Sequence, residues 1–156
     1  MKITILSVGS IKEKYLKDAI IEYSKRISKY AALEFICVPD EIISENKSET
    51  DIKNKEAQKL LAKLPDNSFK IALNLQGVML SSVELSEKIS HTLAYYNSHI
   101  VFVIGGSLGL GEAILKKMDY HLCFSKMTFP HQLMQVILLE QIYRSFKIMH
   151  HETYHK

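Results

Sequence analysis

Five short apolar runs, separated by segments of helical periodicity, constrain this 156-residue chain more than any other feature. Lys2–Val8 opens the chain as a buried strand closed by Gly9. Tyr15, Leu16, Ala19, Ile20, Tyr23 and Ile27 then recur at helical spacing within 12–29. Residues 33–38 predict a second strand, stopped by Pro39-Asp40. After a polar loop to Thr50, Ile52, Ala57, Leu60, Leu61 and Leu64 mark a second helix ended by Pro65. A third strand is expected over 69–74. Ser81-Ser-Val-Glu84 then has the pattern of a capping box, opening a helix that runs to about Tyr95. His99–Ile104 is a fourth strand broken by Gly105-Gly106, and a short helix over 112–117 leads to a fifth at 121–124. Pro130 suits the first turn of a last helix that reaches about His150. Strands alternating with helices throughout predict a single α/β domain with a mainly parallel sheet covered on both faces.

With 47% hydrophobic and 24% charged residues, the chain suits one domain with a true core. Its longest apolar stretches are too short to cross a bilayer, so no membrane is expected as a partner, and the opening segment reads as a strand rather than a signal peptide. Cys37 and Cys123 lack CxxC spacing and are expected as buried free thiols in a reducing compartment, which predicts a cytoplasmic protein. The net charge of +3 permits RNA as a partner without demanding it. Basic residues gather in the first helix at Lys12, Lys14, Lys17, Lys25, Arg26 and Lys29, and His150, His151 and His155 crowd the C-terminus.

The last helix is apolar around much of its circumference. Leu133, Met134, Ile137, Leu138, Ile142, Phe146 and Met149 form one stripe, while Val136, Leu139 and Tyr143 lie off it. Such a helix needs more than one covering surface. A central core position is one solution and a subunit interface is another; the interface is the expectation for an element near the end of a small domain.

Nucleotide-binding motifs fail their tests. There is no G-x-x-x-x-G-K-[ST], and Gly109-x-Gly111 has Ile114 where a dinucleotide fingerprint needs its third glycine. No His or Cys pair has zinc-finger spacing, so no metal is expected. Gly105-Gly106 instead stand where a parallel strand's carboxyl end meets a loop, a position that suits either a tight turn or the close approach of a ligand to the backbone. Ser125-Lys-Met-Thr-Phe-Pro-His131 is the matching connection after the fifth strand, ending at a helix N-terminus with free N–H groups.

These segments, in order, carry a resemblance. Met1-Lys-Ile-Thr-Ile-Leu-Ser-Val-Gly9, Val103-Ile-Gly-Gly-Ser-Leu-Gly-Leu110, Phe124-Ser-Lys-Met-Thr-Phe-Pro-His131, Glu140-Gln-Ile-Tyr-Arg144 and Tyr154-His-Lys156 span essentially the whole chain. Together they resemble the SPOUT family of knotted methyltransferases, and within it the bacterial enzymes that methylate N3 of a pseudouridine in 23S ribosomal RNA. The resemblance implies a C-terminal trefoil knot, an exception to the rule against threaded loops. It also implies S-adenosylmethionine as the methyl donor, bound in bent form largely by backbone groups. On this sequence the donor contacts fall at Leu73, Gly105, Phe124, Ser125, Lys126, Met127, Thr128 and Phe129. The resemblance further implies a homodimer whose active site is completed across the interface, acting on 23S rRNA in the ribosome. His155 is the candidate for assisting proton removal, with Arg144 and Tyr154 positioning RNA. Two positions depart from the family pattern: Gln135 stands where Arg is usual, and Leu108 where a polar residue is usual. The rival expectations are a related knotted methyltransferase acting on tRNA or another rRNA site, and a non-catalytic ribosome-binding protein with a degenerate donor pocket.

Overall fold

The computed structural model describes residues 1–156. Its strands are β1 (Lys2–Val8), β2 (Ala32–Val38), β3 (Phe69–Met79), β4 (His99–Ile104) and β5 (Tyr120–Cys123). Its helices are α1 (Lys14–Ile27), α2 (Glu49–Lys63), α3 (Ser82–Tyr95), α4 (Glu112–Leu115) and α5 (His131–Met149). The strands form one sheet in the order β2-β1-β4-β3-β5, and every pairing is parallel.

The apolar strands are two-faced. Ile3 and Ile5 of β1 and Ile100, Phe102 and Ile104 of β4 join a core shared with α1, α3 and α5. The alternate residues Leu6, Val8, Val101 and Val103 join a second core with α2 and α4. Side chains that alternate across a strand explain why these runs carry apolar residues at both parities. The capping box forms as expected: Ser81 Oγ accepts from Glu84 N, and Glu84 Oε2 accepts from Ser81 N at 2.6 Å.

Two expectations need correction. First, β3 continues to Met79 instead of ending at Asn74. Its register against β5 breaks between Leu73 and Val78, both of which pair with Leu122. Gln76-Gly77 looks like a strand stop, yet Gly77 is demanded by a close crossing. A Cβ there would lie 2.6 Å from the His121 carbonyl carbon and oxygen. Second, Cys37 is exposed on the outer strand β2, whereas Cys123 is buried. An edge strand has a neighbour on one side only, so apolar flanks in sequence did not guarantee burial. The last helix, for its part, already finds cover on two sides within the chain. The helix packs against both α1 and α3, and Met134, Leu138, Leu139, Ile142 and Phe146 are all buried within this one chain. The central position therefore accounts for part of the apolar circumference, while Leu133 stays exposed and Val136 and Ile137 half-buried on the remaining face.

The chain leaves α5 through a Schellman turn: Glu152 N donates to Lys147 O at 2.9 Å and His151 N to Ile148 O at 3.0 Å. His151 sits at φ 53°, the one non-glycine residue of the chain with positive φ. Its side chain is exposed, so no packing offsets the left-handed strain. His151→Gly is expected to stabilise the fold by about 1 kcal/mol, the strain relieved less the added freedom of the unfolded chain. A thermal unfolding midpoint that falls would show that the imidazole makes contacts outweighing the strain.

Candidate functional site

The carboxyl ends of β3, β4 and β5 surround a cavity of about 650 Å³, within the roughly 300–1,000 Å³ typical of small-molecule sites. Open parallel sheets bind ligands at this end of their strands. Three segments build it. Leu73, Asn74 and Leu75 come from the bulged part of β3, the glycine loop follows β4, and the segment from Leu122 to His131 follows β5.

The glycine loop is a tight turn and a cavity wall at once. Gly109 N donates to Gly106 O at 3.0 Å, with Gly109 at φ 85°. A Cβ on Gly105 would lie 2.7 Å from the Gly109 carbonyl carbon and 2.8 Å from its oxygen. Contacts that close are not made by real side chains, so the loop closes only because residue 105 has none. Behind the turn, the buried Glu56 of α2 would meet a Gly106 Cβ at 3.2 Å and accepts a hydrogen bond from Glu41 N at 3.0 Å. Burial is the main cause raising its carboxyl above the ordinary glutamate range.

Of the eight expected donor contacts, Leu73, Gly105, Phe124 and Ser125 line the cavity, as do Met127, Thr128 and Phe129. Lys126 does not; it is exposed, pointing away at the apex of a turn closed by Met127 N donating to Ser125 Oγ at 3.0 Å. The wall contains no Asp, Glu, Lys or Arg. Such a lining suits a ligand held by backbone groups and apolar contact.

Several wall residues were not anticipated. Asn74 closes the strand expected over 69–74 and gave no sign of a role, and Leu75 lies beyond that expected end. Pro130, His131 and Met134 bring the N-terminus of α5 onto the cavity. The free N–H groups of that helix were legible as a signal, and only their direction was missing. Of the two departures, Leu108 lines the cavity, whereas Gln135 lines a separate groove with Ser7, Gly9 and Lys17.

The C-terminal trio is brought together, but elsewhere. Arg144 Nη2 pairs with Glu140 Oε1 at 2.5 Å, and Arg144 Nη1 lies 3.3 Å from His155 Nδ1. The guanidinium stacks 4.7 Å from the centre of the Tyr154 ring, whose hydroxyl donates to Glu140 Oε1 at 3.1 Å. The Glu140 carboxylate is the chief cause holding the Arg144 guanidinium above its ordinary pKa. Burial, then the bond to Glu140, raises the Tyr154 phenol. The tail is thus folded back onto α5. Arg144 follows Met134, the last cavity residue on α5, on one unbroken helix, about 15 Å further along its axis at ~1.5 Å per residue. His155 is therefore out of reach of the cavity in its own chain.

A family model for predicted SPOUT methyltransferases matches residues 1–155. The chain belongs to the SPOUT methyltransferase family. It is 56% identical, over 100% of both chains, to the ribosomal RNA large subunit methyltransferase H of Clostridium botulinum (strain Alaska E43 / Type E3). The proteins of that name from Alkaliphilus oremlandii (strain OhILAs) and Ruminiclostridium cellulolyticum are 55% and 51% identical, again over 100% of both chains. The solved structure of a probable methylase family protein from Haemophilus influenzae Rd KW20 shares the fold, with a TM-score of 0.53 at 15% identity. That likeness covers 99% of this chain and 70% of the other. The chain is accordingly a methyltransferase, and no helix in it is long and apolar enough to cross a membrane.

Proposed function

We propose that this SPOUT methyltransferase transfers a methyl group from S-adenosylmethionine to N3 of a pseudouridine in 23S ribosomal RNA within the ribosome, acting as a homodimer. The observation that carries the reading is the cavity at the carboxyl ends of β3, β4 and β5, lined without Asp, Glu, Lys or Arg, in a chain 56% identical to a ribosomal RNA large subunit methyltransferase H. S-adenosylmethionine supplies an electrophilic sulfonium methyl group.

The residues present fit such a group. Apolar side chains such as Leu73, Leu122 and Phe124 flank the space, and the glycine loop lets backbone groups reach an adenosine moiety. The N-terminus of α5 favours a carboxylate. The chain's work is mainly orientation: it holds the methyl group and the base in line, so that little reorganisation remains at the moment of transfer. The base must lose its N3 proton, at a cost of about 1.4 kcal/mol for each unit by which its pKa exceeds the pH. His155 is the group assigned to accept it, with Arg144 and Tyr154 holding the RNA.

The homodimer reading rests on two features. His155 lies too far from its own cavity, so the site is incomplete unless a second copy lends its tail. Apolar side chains are also exposed on the segments around the cavity, among them Leu75 at 61% and Met127 at 73%. The trefoil knot rests on the family resemblance, and the close approach of Gly77 to the His121 backbone agrees with it.

Mass spectrometry of ribosomal RNA from a strain lacking the gene tests the function. One pseudouridine is expected to lose its methyl group and regain it when the gene is restored. A methyl lost from tRNA, or from another rRNA site, would reassign the substrate. An unchanged methylation pattern would overturn the proposal.

A further inference from the structure

The carboxyl-terminal ends of α1 and α5 lie side by side, at the opposite end of the sheet from the cavity. Tyr30 follows α1 and stacks on Phe146 of α5 with ring centres 5.3 Å apart, nearly parallel at 4°. Tyr23 and Tyr30 also approach Tyr143, at 6.5 and 6.4 Å. Between these rings is a pocket of about 280 Å³ lined by Arg26, Lys29, Tyr30, Tyr143, Lys147 and Glu152. Its donors already hold an anion. The Glu152 carboxylate accepts from the Tyr30 hydroxyl at 3.0 and 3.1 Å and pairs with Lys147. Arg26 pairs with Glu22 at 2.9 Å and lies over the Tyr23 and Tyr143 rings. Lys29 pairs with nothing and is exposed. Three cations therefore face two carboxylates, and one of those two sits on the C-terminal tail.

We propose that this pocket is an RNA-backbone site in which a phosphate group takes the place held in the free protein by the Glu152 carboxylate. The inference rests on the RNA-methylating function proposed above and extends it to a surface outside the cavity. Continuity argues for RNA as the occupant. The Tyr143 ring meets the Tyr154 ring edge-on at 4.9 Å, so the pocket adjoins the Arg144, Tyr154 and His155 cluster. A strand whose target base lies against that cluster has its neighbouring phosphates within reach of Lys29 and Arg26. Because Glu152 and Tyr154 share the tail, a phosphate that displaces Glu152 also releases one of the tail's anchors to the body of the domain.

The test uses the full-length dimer and ribosomes from a strain lacking the enzyme, with methyl transfer measured across a range of salt. Lys29→Gln is expected to raise KM for ribosomes at least about tenfold, the loss of one charged hydrogen bond. It is also expected to flatten the log–log salt slope by about one. Affinity for S-adenosylmethionine and kcat are expected to hold, and Lys29→Arg is expected to restore KM. Glu152→Gln removes the internal competitor, so its KM is expected to fall. An unchanged KM and salt slope in Lys29→Gln, or a KM that rises in Glu152→Gln, would overturn the proposal. Wild-type enzyme that leaves these ribosomes unmethylated would instead refute the function on which the proposal rests.

Discussion

Gly105→Ala is expected to weaken binding of S-adenosylmethionine about 100-fold. The added Cβ would stand 2.7 Å from the Gly109 carbonyl carbon and 3.0 Å from Leu110 N, both backbone atoms that have no rotamer to move into. Opening the turn to admit it costs about 2–3 kcal/mol, the usual range for overpacking a closed site. If that cost falls on the loop that shapes the cavity, it appears as lost affinity at about 1.4 kcal/mol per factor of ten. Gly109→Ala is the matched control. Nothing lies within 4 Å of its added Cβ, and only the φ of 85° opposes it. That strain is about 1–2 kcal/mol, so a loss nearer tenfold is expected. Calorimetry measures both, with circular dichroism confirming that each variant is folded. Wild-type affinity in Gly105→Ala would remove the glycine loop from the donor site.

Deleting Tyr154, His155 and Lys156 is expected to lower methyl transfer at least about 100-fold, the contribution of a positioned proton acceptor. Donor affinity is expected to stay unchanged. The separation of the two readouts follows from geometry, since the tail is anchored to Glu140 and Arg144, about 9 and 15 Å along α5 from Met134, the last cavity residue on that helix. His155→Ala is expected to reproduce part of the loss. The same distance makes a sharper experiment possible. Neither the tail-deleted protein nor Gly105→Ala has an intact site, yet a heterodimer of the two joins a sound cavity in one subunit to a sound tail from the other. A 1:1 mixture is expected to recover about a quarter of wild-type activity, the statistical share of intact composite sites in a twofold dimer. No recovery after subunit exchange would show that tail and cavity act within one chain or that the tail is a solvated end.

Much of the fold and part of the site was legible before any coordinates, because the signals were local. The alternation of apolar runs with helical spacing identifies all five strands and all five helices. The pattern from Ser81 to Glu84 specifies a helix start that forms bond for bond. Seven of the eight residues assigned to donor binding through the family resemblance line one cavity. What failed locally failed for a stated reason. Gly77 looks like a terminator because glycine in isolation favours turns, whereas here it lets β3 cross the His121 backbone. Cys37 sits among apolar neighbours yet faces outward, because β2 lies at the edge of the sheet.

By itself the sequence determined the secondary structure, the two-faced character of the inner strands, and the glycine turn after β4. Each depends on residues within a few positions of one another, where backbone sterics and side-chain periodicity act. The tertiary structure alone decided the strand order β2-β1-β4-β3-β5, the placing of α5 between α1 and α3, and the separation of His155 from the cavity. It alone brought Tyr30 to Glu152, 122 positions away in the chain. Contacts of that span depend on how whole elements pack around two shared cores, and no local periodicity encodes which element becomes whose neighbour.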